Sequence, residues 1–193
     1  MAAPINQQPS MPINRKKVIA ISGSTRHHSI NHALIKAIAD LATHSFDITI
    51  YNGIGKLPQF NPDDDTVAVA SEVSDFRQQL NVADGIIICT PEYARGVPGS
   101  LKNAIDWTVS SSQFPHKPTL LITASTDGTY GHKALLETLK AIEAGNIDNL
   151  QMVIQFAKTK ISIDGRITDE NTLTEVKRLI GNFIETMDDR LEH

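Results

Sequence analysis

The sequence predicts an α/β fold in which helices cover both faces of a parallel sheet. Three observations indicate this. Short β-branched segments alternate along the chain with longer segments whose apolar residues recur at helical spacing. One short segment, GIIICT at 85–90, is apolar throughout, as a strand covered on both faces should be. The 193 residues are enough for one well-filled core, and repeated strand–crossover–strand units form parallel sheets.

The elements follow in order along the chain. Strands are predicted at 17–22, 46–51, 85–90, 119–125 and, for the fifth, within 150–157. Amphipathic helices are predicted between them, at 31–42, 67–83, 99–110 and 132–145. Asp164 and Gly165 then indicate a tight turn, and a closing helix at 169–187 has Thr168 or Asp169 as its N-cap.

The pattern predicts a single domain over residues 17–189. Residues 1–16 lack an apolar centre and are expected to be a flexible leader rather than a secretory signal. Residues 190–193 end the chain, and the LEH from 191 is similar to the remnant of an expression tag.

Composition excludes several classes of protein. A net charge of -4 argues against a nucleic-acid binder that works through its overall field. No apolar stretch is long enough to span a bilayer, so we expect a soluble protein without a membrane partner. The lack of a secretory signal points to the cytoplasm. The single cysteine, Cys89, lies in the apolar third strand, which favours a buried core thiol over a nucleophile. No metal site is predicted.

The loop after the first strand, SGSTRHHSIN at 22–31, is the first candidate site. It combines hydroxyls and one arginine with the start of a helix, whose free N–H groups and dipole favour an anion such as a phosphate monoester. The chain has no GxxxxGK[ST] motif, and this loop has one glycine where a dinucleotide fingerprint needs three. Simple capping would explain Ser29 or Asn31, but not Ser24 and Arg26 as well.

Two further loops follow strands three and four, and the carboxyl ends of parallel strands form the usual ligand crevice. TPEYARGVPG at 90–99 has a backbone stiffened by two prolines and two glycines, which suits the edge of a flat heterocycle. ASTDGTYGHKAL at 124–135 brings a glycine-containing turn to the next strand end, where backbone can approach a planar ligand.

Taken together, the loops resemble a known family. GSTRHHSIN (23–31) is similar to the GSxRxxSxN loop, and TPEYARGVPGSLKNAIDW (90–107) to the TPEYNxxxPGxLKNAIDW segment, of the NADPH-dependent FMN reductase family. The resemblance covers residues 17–145 and includes LPQFNPDDD at 57–65. It implies a flavodoxin-like three-layer αβα sandwich with a five-stranded parallel sheet of order 2-1-3-4-5 and FMN across the strand ends.

The resemblance also implies cofactor-binding positions. The FMN phosphate would be held by Ser24, Arg26, Ser29, the backbone of Ile30, and Asn31. The flavin ring would be lined by Pro91, Glu92, Tyr93 and Ala94 on one side and by Ser125, Asp127 and Gly128 on the other. Ala94 departs from the family, which has asparagine there, so a polar side chain near the flavin is expected to be missing.

The implied activity is an NAD(P)H-dependent oxidoreductase that carries hydride to FMN and then electrons to a small acceptor by a ping-pong scheme. Flavin, quinone, azo and chromate-type acceptors all occur in the family, which commonly forms homodimers or homotetramers. No catalytic side chain is expected because the flavin carries the chemistry. Glu92 is expected to order its loop rather than to catalyse. The alternative is a non-enzymatic flavodoxin-like electron carrier or flavin-binding module.

Overall fold

The computed structural model describes residues 15–189. Residues 1–14, which make up most of the expected leader, and residues 190–193, with the expected tag remnant, lie outside the described residues. The first strand begins at Lys16, one residue earlier than the sequence pattern suggests.

The described residues form a five-stranded parallel sheet in the order β2-β1-β3-β4-β5, as the resemblance implies. The strands are β1 Lys16–Ser22, β2 Phe46–Tyr51, β3 Gly85–Thr90, β4 Thr119–Ala124 and β5 Gln151–Ile154. The helices are α1 Ile30–Leu41, α2 Ser71–Val82, α3 Gly99–Asp106, α4 Thr129–Ala141, α5 Ala157–Lys160 and α6 Glu170–Asp189, with a short 3-10 turn at Pro62–Asp64.

The two faces of the sheet carry separate cores, because successive side chains of a strand point to opposite faces. Val18 and Ala20 of β1 pack with residues of α1 and α6. Ile19 and Ile21 pack on the other face with residues of α2, α3 and α4. Every residue of β3 and of β4 is buried, so the middle of the sheet is covered on both sides.

Several predicted boundaries shift for local reasons. Helix α2 begins at Ser71 rather than 67, and Val67 is fully exposed at 108%. Helix α3 ends at Asp106 rather than 110, and the carbonyl of the following Trp107 accepts a hydrogen bond from Arg77 Nε at 2.7 Å. Helix α4 begins three residues earlier than predicted, directly after Gly128 at φ 92°.

The fifth strand lies within the predicted stretch 150–157, as expected, and occupies only part of it. β5 stops at Ile154, and Phe156 adopts the left-handed conformation at φ 52°. The Ala157 N–H then bonds the Ser125 carbonyl at 3.0 Å, so the chain turns into the short helix α5 over the end of β4. The predicted turn is present, with Gly165 at φ 93°, and Asp169 caps α6 by accepting from Thr172 N at 2.8 Å.

The sheet brings the ends of β1, β3 and β4 side by side, and this places the three candidate loops together. Gly23 N donates to the Cys89 carbonyl at 2.8 Å, which holds the first loop against β3. A Cβ at Gly23 would lie 2.2 Å from Thr90 Oγ1, so only glycine fits where the first loop passes β3.

Candidate functional site

The first, second and third loops line one cleft of about 470 Å³ at the carboxyl ends of the strands. Nine of the twelve predicted positions are on its wall: Ser24, Arg26, Ser29, Ile30, Asn31, Pro91, Glu92, Tyr93 and Ser125. The other three, Ala94, Asp127 and Gly128, lie in the same loops but do not line the cleft.

The first loop presents the start of α1 to the cleft. Ser29 is the N-cap residue in an extended conformation, and its side chain makes no capping hydrogen bond. The first turn of α1 contains no acidic residue. Since the N–H groups of a helix start lack intrahelical partners, this end of the helix retains its capacity to bind an anion. The capping explanation for Ser29 therefore does not account for its hydroxyl.

Asn31 has a buried side-chain amide whose nitrogen, but not its oxygen, is hydrogen-bonded within the described residues. The side chain is 3% exposed, and Nδ2 donates to the Ala124 carbonyl at 3.0 Å, which ties α1 to the end of β4. Its Oδ1 has no partner among the described residues. A buried amide oxygen without a donor is costly, so Asn31 fits a ligand that brings an O–H or N–H group.

The second loop is held in place by a turn and by Glu92. Tyr93 and Gly96 exchange two backbone hydrogen bonds of 3.1 and 2.9 Å, which close a two-residue turn over Ala94 and Arg95. Pro91 is buried, whereas Tyr93 is 48% exposed at the mouth of the cleft. This wall of the cleft is therefore rigid in its backbone and aromatic at its edge.

Glu92 links the second loop to the third loop and to α4. Its Oε2 accepts a hydrogen bond from Gly131 N at 2.7 Å, and its own N–H donates to Ser125 Oγ at 3.3 Å. A Cβ at Gly131 would lie 2.9 Å from the Gly96 carbonyl oxygen, so the loop and the helix are packed closely. These contacts support the expectation that Glu92 orders the loop.

In the third loop, Ser125 lines the cleft while Asp127 and Gly128 form the start of α4. Asp127 Oδ1 accepts from Thr129 Oγ1 at 2.6 Å and from Thr129 N at 3.3 Å. The hydrogen bond from the Thr129 hydroxyl is the main cause that lowers the pKa of Asp127. Gly128 is the N-cap at φ 92°, a conformation that glycine adopts without strain.

A fourth wall, which the sequence analysis missed, consists of Ala157 and Lys158 of α5 with residues 161–163. Its position depends on two backbone hydrogen bonds to the third loop, Phe156 N to Thr126 O at 3.1 Å and Ala157 N to Ser125 O at 3.0 Å. The sequence signal was weak because apolar residues on both sides of Gln155 allow the strand to be extended into α5.

The charged side chains of the cleft wall are predominantly basic. Arg26 and Lys158 carry full positive charges, and Glu92 is the one carboxylate among the residues that line the cleft. His28 also lines it, and both His27 and His28 are exposed. A ligand with a negatively charged group therefore fits the charge of this cleft.

The side chains of Cys89 and Trp107 have structural roles. Cys89 is fully buried, and burial raises the pKa of its thiol, as expected of a core cysteine. Trp107 is 1% exposed and donates from Nε1 to the Pro58 carbonyl at 2.9 Å, so it belongs to the core.

Within residues 15–189, no three His, Cys, Asp or Glu side chains form a group suited to a metal ion. None of the helices described is long and apolar enough to cross a bilayer.

Comparison with known proteins gives a family match over most of the chain. The model of the NADPH-dependent FMN reductase family matches residues 16–159. The chain is 31% identical over 185 residues to a 2-hydroxy-1,4-benzoquinone reductase from Burkholderia sp, an alignment that covers 90% of this chain and 97% of that protein. It is 31% identical over 160 residues to an NAD(P)H-dependent FMN reductase from Pseudomonas aeruginosa, covering 80% and 85% respectively.

Among solved structures, the fold is similar to a flavoenzyme NAD(P)H:(acceptor) oxidoreductase from Paracoccus denitrificans. The TM-score is 0.76 at 27% sequence identity, and the match covers 90% of this chain and 98% of that one. The similarity therefore extends beyond the site to the whole of the sheet and its helices.

Proposed function

Because the chain belongs to the NADPH-dependent FMN reductase family, we propose that its strand-end cleft holds FMN and that the protein is an NAD(P)H-dependent oxidoreductase. The observation that carries the proposal is the meeting of three strand-end loops around one cleft of about 470 Å³. One loop presents a helix start and an arginine, and another presents a stiff wall with an exposed tyrosine. A phosphate joined to a flat heterocycle needs this combination.

The residues present fit FMN. Arg26 and the start of α1 would bind the phosphate, with the Ser24 and Ser29 hydroxyls as donors. The partnerless Oδ1 of Asn31 would accept from a hydroxyl of the ribityl chain, since a phosphate dianion has no proton to give. Pro91 and Tyr93 would bound the ring on one side. Ala94, Asp127 and Gly128 would act indirectly, through the turns that they form.

When bound, FMN supplies the redox chemistry by accepting hydride from NAD(P)H and passing electrons to a second substrate. The chain supplies position and environment. Glu92 holds the second loop against α4 through the Gly131 N–H, so its carboxylate is already used in structure. Tyr93, half exposed at the mouth, would border the space in which donor and acceptor bind in turn.

We propose a quinone as the acceptor to test first. The Burkholderia relative is named for a hydroxylated benzoquinone, and the Pseudomonas relative is named for FMN. Flavin, azo and chromate-type acceptors are the other classes that the same chemistry serves. The scheme is ping-pong, since one cleft would serve both substrates.

The experiment is a titration of the purified protein with FMN, followed by flavin fluorescence, and then an assay of NADPH and NADH oxidation with a benzoquinone. We expect saturable FMN binding, quinone-dependent turnover and parallel double-reciprocal plots. Binding without turnover would indicate the non-enzymatic carrier or binding module instead. A protein that stays colourless and gives no titration signal would overturn the proposal altogether.

We further propose that the protein works in the cytoplasm as a homodimer or homotetramer. The support is the family resemblance together with the single, buried cysteine, which requires no oxidising compartment for folding. Light scattering on the FMN-loaded protein tests the assembly. A monomer with full turnover would contradict it.

A further inference from the structure

Lys158 is the second full positive charge on the wall of the cleft. It lies on α5, on the wall that the first three loops do not supply. The side chain is exposed and forms no ion pair with any of residues 15–189. Its charge is therefore not neutralised by a carboxylate of the described chain.

The fold fixes the wall that carries Lys158 at both ends. At one end, Ala157 N donates to the Ser125 carbonyl of the third loop at 3.0 Å. At the other, Gly165 packs on α1, where an added Cβ would lie 3.3 Å from the Ala33 carbonyl oxygen. The wall thus spans from the third loop to α1, the helix whose start lines the same cleft.

The charge of the FMN phosphate explains why a second cation, Lys158, would be useful in the cleft. The FMN phosphate carries about -1.5 to -2 charges at neutral pH, as phosphate monoesters do. Arg26 supplies one positive charge, and the carboxylate of Glu92 is bound to Gly131 N. A lysine is a compact point charge that binds phosphate without a fixed geometry, so it can act from another wall of the same cleft.

We propose that Lys158 is a phosphate-binding residue that selects FMN over the uncharged flavin riboflavin, an inference that rests on the proposed FMN site. Riboflavin has the same ring and ribityl chain and lacks only the phosphate. A residue that acts on the phosphate changes the affinity for FMN alone, whereas a residue near the ring changes the affinity for both flavins.

The test measures dissociation constants of FMN and riboflavin by flavin fluorescence for the wild-type chain, Lys158→Gln and Lys158→Arg. Lys158→Gln should bind FMN roughly tenfold more weakly and riboflavin as before, the modest size reflecting the exposure of the side chain. Lys158→Arg should retain most of the FMN affinity. The FMN affinity of Lys158→Gln should also depend less on salt than that of the wild type.

Two further variants are measured for comparison with Lys158→Gln, one as a negative and one as a positive control. Lys160→Gln changes a lysine of the same helix that does not line the cleft, and it should alter neither affinity. Arg26→Ala should show the same FMN-selective loss as Lys158→Gln, and a larger one if the guanidinium grips the phosphate bidentately.

Equal losses for FMN and riboflavin would overturn the inference and place Lys158 at the ring, while the proposed FMN site would stand. Unchanged FMN affinity in Lys158→Gln would overturn it too, again without harm to the proposed function. A wild-type chain that binds neither flavin would overturn both.

Discussion

Ala94 and Arg95 both adopt left-handed backbone conformations, at φ 49° and 58°. They are the central residues of the turn closed by Tyr93 and Gly96, and two successive positive φ angles define a type I′ turn. Asparagine tolerates this conformation far better than alanine. The family's asparagine at position 94 therefore has a backbone reason, and the exposed Ala94 side chain lies outside the cleft wall.

We expect Ala94→Asn to raise the free energy of unfolding by about 0.5–1 kcal/mol, because it relieves left-handed strain. Denaturant unfolding of the FMN-free protein measures this. Ala68→Asn is the control, at an exposed loop position without a positive φ. If Ala94→Asn leaves stability unchanged and alters only turnover, the family's asparagine acts on the ring and not on the turn.

His132 is a buried histidine beneath the third loop. It is 6% exposed, with Nδ1 2.9 Å from Thr123 Oγ1 and Nε2 2.6 Å from Gln151 Oε1. Because the Gln151 oxygen can only accept, the proton is on Nε2, and Nδ1 accepts from the Thr123 hydroxyl. Burial lowers the pKa of His132 from its ordinary value of 6.5.

This pKa predicts a loss of stability in mild acid. The unfolded chain takes up a proton near pH 6.5, whereas the folded state resists it, so the free energy of unfolding falls as pH drops from 6.5 towards the lower folded pKa. Urea unfolding across this range should show a shallower dependence in His132→Leu than in wild type. His44→Gln, at an exposed position, should keep the wild-type slope. Equal slopes in all three proteins would contradict the assignment.

At the scale of elements, one contact couples the second loop to α4. The carboxylate of Glu92 accepts from the N–H of Gly131, the third residue of the helix, where a negative charge also meets the positive end of the helix dipole. A loop of the cleft wall is thus held by the start of a helix that packs on the opposite face of the sheet from α1.

We expect Glu92→Ala to cost about 1–2 kcal/mol of stability and to weaken FMN binding, because it leaves the Gly131 N–H without its acceptor and frees the loop. Glu92→Gln keeps an acceptor oxygen and should retain most of both. Unfolding curves and FMN titrations measure the two effects, and turnover provides the decisive comparison. A Glu92→Gln protein that binds FMN normally but has lost turnover would show that Glu92 is catalytic.

At the scale of the whole molecule, helix α6 packs directly on the sheet where β3 begins. A Cβ on Gly85 would lie 2.6 Å from Phe183 Cζ and 2.8 Å from Met187 Sδ, so the helix sits directly on the strand backbone. Phe183 is fully buried and makes an edge-to-face contact with Phe46 of β2, at 6.0 Å between ring centroids. The absence of a side chain at Gly85 sets how closely α6 approaches.

Gly85→Ala should therefore destabilise the fold by about 1–3 kcal/mol through overpacking. Gly181→Ala is the matched change on α6 itself, where an added Cβ meets nothing within 4 Å. It should stabilise by about 0.5–1 kcal/mol, since alanine is the better helix former. Thermal unfolding of the two variants should move in opposite directions, and a shift of the same sign in both would refute this packing.

The sequence pattern predicted what depends on local chemistry. The apolar β3 segment, the alternation of strands and helices, and the Asp164–Gly165 turn were read correctly because burial and turn preferences act over a few residues. Local spacing also places Lys102 and Asp106 one turn apart on α3, where they form an ion pair at 2.6 Å. The order of the strands came from family resemblance, since pairing between distant segments leaves no local signal.

What the sequence determined by itself was the layered α/β architecture and the chemistry of the three loops, because hydrophobic periodicity and residue type are carried by each segment. Only the tertiary structure decided that α5 brings Lys158 to the same cleft, that Glu92 bonds Gly131, and that Asn31 keeps a partnerless oxygen. Each of these features depends on segments that are distant along the chain. Such segments meet only once the sheet has placed the strand ends side by side.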